Sequence, residues 1–279
     1  MWNVRLQPRR PLSPFRRIAF GTWRDARDPQ VYGALALDVG PALDYVERLR
    51  AATGEHVTLT HLMVRVIGEL LHRVPEANAI VRPGGVDLRR EVAVFLQVAM
   101  RDETTGRIDL SGVKLAAPHT KGVVDICREM QAKVDRARRG KDEEIARNKQ
   151  LFARIPAAWM GRVLGAAEFV QYTLNLDLRR LGLPRDAFGG AMITNVGSLG
   201  LEEAYPPLVP FSRVPLIVAM GAVHEAPLAR DGALVIARCM KLCATFDHRA
   251  LDGAHAAQMA TIVRAWFAAP EQHFGAVPT

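Results

Sequence analysis

Residues 92–100 read VAVFLQVAM, nine positions that are apolar almost without interruption. The run is far shorter than the ~20 residues a membrane-crossing helix needs, and it lacks the polar alternation of a strand with one wet face. It predicts a strand inside a sheet, covered on both faces. Such a strand needs helices to cover it, and the neighbouring sequence supplies them. Residues 41–52 read as a helix with Leu43, Val46 and Leu49 on one face. In the next helix Thr58 or Thr60 is the cap, and Leu62, Val66, Leu70 and Val74 recur at helical spacing until Pro75. Residues 121–139 follow as a helix that stops at Gly140.

Strand patterns lie at residues 32–39, 191–195 and 215–223, and at 233–238 with 240–246, with Asp231-Gly232 as a turn signal. A last helix begins near Asp252-Gly253, turns Ala256, Met259, Ile262, Val263 and Trp266 inward, and ends at Pro270. Residues 141–187 read as a helical excursion. Phe152, Ile155, Trp159, Val163, Ala167, Val170 and Leu174 form a stripe there, expected to pack on its own domain or on a neighbouring subunit. Helices and strands are mixed without regular β-α-β alternation, and no glycine-rich phosphate loop appears. The expected class is α+β, a mixed sheet flanked by helices, with a helical insertion at about 141–187. No Ser/Gly/Pro-rich linker or internal repeat divides the 279 residues, so a single domain over 1–279 is expected. Residues 1–14 would form an extended, proline-rich arm, with the first ordered element near Phe15.

The net charge of +8 admits nucleic acid, an acidic membrane surface or a phosphorylated small ligand as partners. Aromatic residues make up only 6% of the chain, too few for a base-stacking platform, and no zinc-finger spacing is present; nucleic acid is not an expected partner. The most apolar stretch, 155–170, is broken by Arg162 and Glu168, so membrane association is not expected either. The three cysteines, Cys127, Cys239 and Cys243, form no C-x-x-C pair and fit a reducing, cytoplasmic setting. His248 and His255 lack a third ligand at metal-binding spacing, so no metal site is expected. His61 and His72 fall on an apolar helix, where surface or core positions are expected and not catalysis, and His119 and His224, in loops, carry no signal.

Residues 246–253 read FDHRALDG at the junction of a strand and a helix. His248 there can reach a cleft, and Asp252 can turn back to hold the junction. Imidazole, with a pKa near ~6.5, is a natural base for a thiol near ~8.5, while a lone histidine at a strand end also fits a structural role. Read from the residues alone, both roles stay open.

The pattern D-H-R-x-x-D-G over 247–253 resembles the signature of the acyltransferase component of 2-oxo acid dehydrogenase complexes, whose fold is shared with chloramphenicol acetyltransferase. Residues 192–197 (MITNVG) resemble the family's T-I-S-N-L-G strand, 75–78 (PEAN) its P-x-x-N, and 137–141 (ARRGK) its A-R-x-G-K. The resemblance spans roughly 15–145 and 188–270 and implies a chloramphenicol-acetyltransferase-like fold. It also implies coenzyme A as a substrate, His248 as general base and Thr194 as the hydroxyl on the tetrahedral intermediate. Asp252 would be a structural acid paired with Arg16 or Arg17. Family members are trimers with active sites between subunits, so the resemblance implies a homotrimer in which Thr194 and His248 come from different chains.

Three departures bear on substrate. Thr194 stands where the family usually has serine, which restricts the rotamer of the hydroxyl. The family's apolar G-L-V-V-P-V-I segment is RIDLSGVKL at 107–115, implying a changed acyl pocket or acceptor. The resemblance reaches neither a lipoyl nor a subunit-binding domain, so no covalent lipoyl group is expected on this chain, and its lipoylated partner would be a separate protein. Three readings stay open: transfer between coenzyme A and a dihydrolipoyl thiol on another protein, transfer to a small free acceptor, and a catalytically silent trimeric scaffold.

Overall fold

The computed structural model describes residues 3–8, 29–101, 108–138, 156–230 and 232–278. The alternating residues of β1 (Gln30–Asp38) pair antiparallel with β9 (Ala233–Asp247), a single strand where two short ones were expected. β9 continues to β7 (Leu216–Met220), then β6 (Ala191–Asn195), β4 (Ala93–Arg101) and the edge strand β5 (Ile108–Ala116). The β4–β6 and β6–β7 pairs are parallel and the others antiparallel, so the sheet is mixed. β8 (His224–Arg230) pairs with the outer half of β9, which places His224 at the start of a strand and not in a loop. The hairpin closes at Gly232, whose φ of +79° is one glycine adopts without steric cost. A small hairpin of β2 (Ala79–Arg82) and β3 (Gly85–Leu88), not foreseen from the sequence, stands apart.

One face of the sheet is covered by α1 (Gly40–Thr53), α2 (Leu59–Arg73), α3 (Val123–Arg138) and α5 (Gly253–Ala268). Thr58 is the cap of α2, and its backbone N–H donates to Nδ1 of His61, 2.9 Å away. Val94 and Leu96 of β4 enter this core, as do Ile193, Val218 and Leu242 of the neighbouring strands. A short helix α6 (Pro270–Phe274) folds Phe274 back against Trp266 and Tyr45.

The opposite face departs from the expectation that β4 is buried on both sides. Phe95 and Gln97 are only half-buried, and Tyr32, Ala34 and Ala36 of β1 are exposed. Among the described residues one end is covered by a smaller cluster of Met192, Leu208, Val214 and Ile217, against which Phe95 and Phe188 pack. The cover there includes α4 (Ala157–Glu168) and the π turn Phe169–Thr173 that continues it. Of the expected stripe, Val163, Ala167 and Val170 are half-buried and Ala167 lines the space under α4, whereas Trp159 is 57% and Leu174 45% exposed and Tyr172 is the buried residue of the π turn. Phe152 and Ile155 lie outside the described residues, as do Phe15, Arg16 and Arg17. Of the expected arm, Asn3 and Val4 are buried against the 171–186 segment. Asn175 accepts from the Val4 N–H and donates to its carbonyl.

Candidate active site

β9 ends at Asp247, and the next two amides are held from both sides. The Asp247 N–H donates to Pro215 O at 2.9 Å and the His248 N–H to Pro29 O at 2.7 Å. Asp247 and Arg249 are both buried and joined side by side. The Asp247 carboxylate accepts from the Arg249 backbone N–H at 3.0 Å, from Nε at 3.0 Å and from Nη2 at 2.7 Å. This forked, charge-assisted pair braces the turn so that the residue between the two is displayed from a fixed backbone.

That residue is His248. Its Nδ1 lies 2.7 Å from Leu251 O. A carbonyl can only accept, so Nδ1 carries the proton and Nε2 of the neutral ring carries the lone pair. The geometry selects the tautomer a general base needs.

Asp252 is the N-cap of α5. Its carboxylate accepts from Ala254 N–H at 3.1 Å and His255 N–H at 3.2 Å, and contacts His255 Nδ1 at 2.6 Å. The acid thus fixes where α5 starts and thereby the turn carrying His248. His255, considered above only as a metal ligand, is the other half of this capping arrangement. Its signal was the acid three residues before it. No group of three metal-ligating side chains occurs among the described residues.

Thr194 lies on the central strand β6, opposite Gln97 on one side and Ala219 on the other. Asn195 fastens the end of that strand: its amide donates to Thr60 Oγ1 at 3.1 Å, and its side-chain oxygen accepts from Ser198 N–H at 3.1 Å. Two glycines make the strand's surroundings fit. A Cβ on Gly197 would stand 2.4 Å from Gly221 O, and one on Gly190 2.1 Å from Asn78 Oδ1. Asn78, the last residue of PEAN, is buried and donates to the Arg89 and Glu91 carbonyls, so this motif is a structural tie between the small hairpin and β4.

The structure does not bring Thr194 and His248 together within one chain. Leu216 pairs with Phe246, so His248 lies level with residue 214 of β7, whereas Thr194 lies level with Ala219. Roughly five residues along the strands and two strands across put the two Cα atoms about 19 Å apart.

Three comparisons with known proteins bear on this chain, the last of them on its architecture. The sequence profile described as 2-oxoacid dehydrogenases acyltransferase (catalytic domain) matches residues 182–274, a stretch holding both Thr194 and His248. Over that third of its length the chain is similar to the catalytic domain of the 2-oxoacid dehydrogenase acyltransferases. Proteins similar to this chain in sequence include the dihydrolipoyllysine-residue acetyltransferase component of the pyruvate dehydrogenase complex of Bacillus subtilis. It is 39% identical over 64 residues, 23% of this chain and 14% of the relative. The corresponding component of the acetoin cleaving system of the same organism is 35% identical over 78 residues, 28% of this chain and 19% of the relative. The matched stretches therefore span less than a fifth of these curated relatives. Among solved structures, a probable dihydrolipoamide acetyltransferase from Listeria monocytogenes superposes with a TM-score of 0.66 at 14% identity, covering 98% of this chain and 99% of that one. Chloramphenicol acetyltransferase superposes with a TM-score of 0.53 at 13% identity, over 94% of this chain and 100% of that one. At these identities the likeness is one of fold, and the fold is the mixed sheet flanked by helices expected from the sequence.

Proposed function

We propose that this chain transfers an acyl group between coenzyme A and a thiol acceptor, the dihydrolipoyl group of a separate protein. Nε2 of His248 takes the proton of the attacking thiol, and the thiolate sulfur adds to the thioester carbonyl carbon. The Thr194 hydroxyl donates to the oxyanion that forms. The intermediate collapses with loss of the other sulfur, which regains the proton from His248, so protons and electrons balance over the cycle. The observation that carries this reading is the Nδ1 contact of His248 with Leu251 O, which leaves the lone pair on Nε2.

The separation of about 19 Å is too large for one acyl carbonyl to meet both groups of one chain. We infer that the working unit is a homotrimer in which His248 of one subunit faces Thr194 of the next, in keeping with closed cyclic symmetry. The half-exposed sheet face bearing Tyr32 and Thr194 supports this, being the part of the sheet that no helix among the described residues covers.

The reading is tested by following thiol release from acetyl-coenzyme A with free dihydrolipoamide. The unaltered protein turns over, His248→Ala abolishes turnover, and Thr194→Val lowers the rate on the order of a hundredfold or more. Equal rates for the His248→Ala variant and the unaltered protein would overturn the assignment.

A further inference from the structure

A cavity of about 350 Å³ lies under α4 and the π turn, against the 183–188 loop, with Leu164, Ala167, Tyr172, Leu183, Phe188 and Phe211 among its lining. Its size is within the range of small-molecule pockets, about 300–1,000 Å³. The polar groups around it are already engaged. Glu168 is ion-paired with Arg213, and the Gln171 amide donates to Pro184 O at 3.3 Å. What the cavity offers a ligand is carbon.

Its shape comes from the backbone. At Phe169–Thr173 the helix widens by one residue per turn, with the Leu174 N–H donating to Phe169 O at 2.9 Å, and this turns Tyr172 inward as a wall. From the cavity a row of rings leads towards the sheet. The centroid of Phe188 is 5.8 Å from Phe211 and 5.1 Å from Phe95. Phe95 has room for its ring because the facing strand has Gly112, where a Cβ would come within 2.1 Å of the ring. Gly112 belongs to the segment in which this chain departs from its family. Phe95 is level with Met192, and Thr194 follows on the same face of the same strand, about 7 Å further on.

We propose that this cavity receives the distal end of a medium-chain aliphatic acyl group, the chain running along the Phe95–Phe188–Phe211 row from a thioester carbonyl at Thr194. The proposal rests on the acyl-transfer reading for the place of the carbonyl, but the cavity's affinity for an alkyl chain does not depend on turnover.

The test is calorimetric titration with decanoyl-N-acetylcysteamine, a thioester without the nucleotide, against its acetyl counterpart. The decanoyl compound binds saturably and at least about tenfold more tightly, as burial of its extra methylenes requires. Ala167→Trp, and independently Leu164→Trp, fill the cavity and remove that preference. In the transfer assay the same substitutions lower the ratio of decanoyl to acetyl transfer about tenfold. Absence of chain-dependent binding, or a preference untouched in a folded filled variant, overturns the cavity assignment. Chain-dependent binding that the filled variants lose, in a protein without transferase activity, would refute the acyl-transfer reading and the place of the carbonyl while leaving the alkyl site standing.

Discussion

Replacing Arg249 by methionine keeps much of the side-chain volume but leaves the Asp247 carboxylate in place without its cation. The two side chains are only 6% and 7% exposed, so water cannot substitute for the guanidinium. Two charge-assisted contacts, from Nε at 3.0 Å and Nη2 at 2.7 Å, disappear. Orphaning one member of a buried pair costs about 3–5 kcal/mol, a large part of the stability of an ordinary domain. The assay is urea unfolding followed by circular dichroism at fixed protein concentration, because association in the proposed trimer would add to stability. The double variant Asp247→Leu with Arg249→Met removes both charges and recovers most of the loss. A single variant within about 0.5 kcal/mol of the unaltered protein would refute the argument that this pair braces the His248 turn.

Burial lowers the pKa of His61 from 6.5 to about 4, so the unfolded chain binds its proton first. Stability from this group is complete above pH 6.5 and falls as the pH drops towards 4, by about 3 kcal/mol in all. His61→Gln, which can still serve the cap, should flatten that part of the pH–stability curve, and equal slopes would contradict the assignment. Gly190→Ala drives a methyl towards Asn78 Oδ1 and should cost about 1–3 kcal/mol by thermal unfolding. Gly161→Ala, on α4 where a Cβ meets nothing within 4 Å, should stabilise by about 0.4–1 kcal/mol in the same assay.

Local patterns carried the helices and most strands because each is set by its own periodicity. Leu62, Val66 and Leu70 all reach the core, and the Asp252-Gly253 start of α5 is a cap written in sequence. β8 was missed because Pro227 interrupts it, and an edge strand tolerates a proline that an interior strand would not. The stripe holds through Val163, Ala167 and Val170 but not at its ends, Trp159 and Leu174, because spacing gives an amphipathic face but not what it meets, and the π turn shifts the phase before Leu174. For the candidate site, FDHRALDG placed His248 at a strand-to-helix junction, where the structure has it, but nothing in the motif reveals the Asp247–Arg249 brace, which depends on both side chains being buried. The distance between Thr194 and His248 depends on β7 lying between β6 and β9, a long-range property of the sheet that no single segment contains.

The central claim is that a working site takes its base from one subunit and its oxyanion donor from another, and mixing two inactive variants tests it most directly. His248→Ala and Thr194→Val proteins are unfolded together in equal amounts, refolded, and assayed for acetyl transfer to dihydrolipoamide. In a trimer with sites between subunits, random assembly pairs an intact His248 with an intact Thr194 at about a quarter of the sites, so about a quarter of the unaltered activity returns. Activity no greater than the mean of the two variants assayed alone would contradict the account, because it would mean that both groups must come from the same chain.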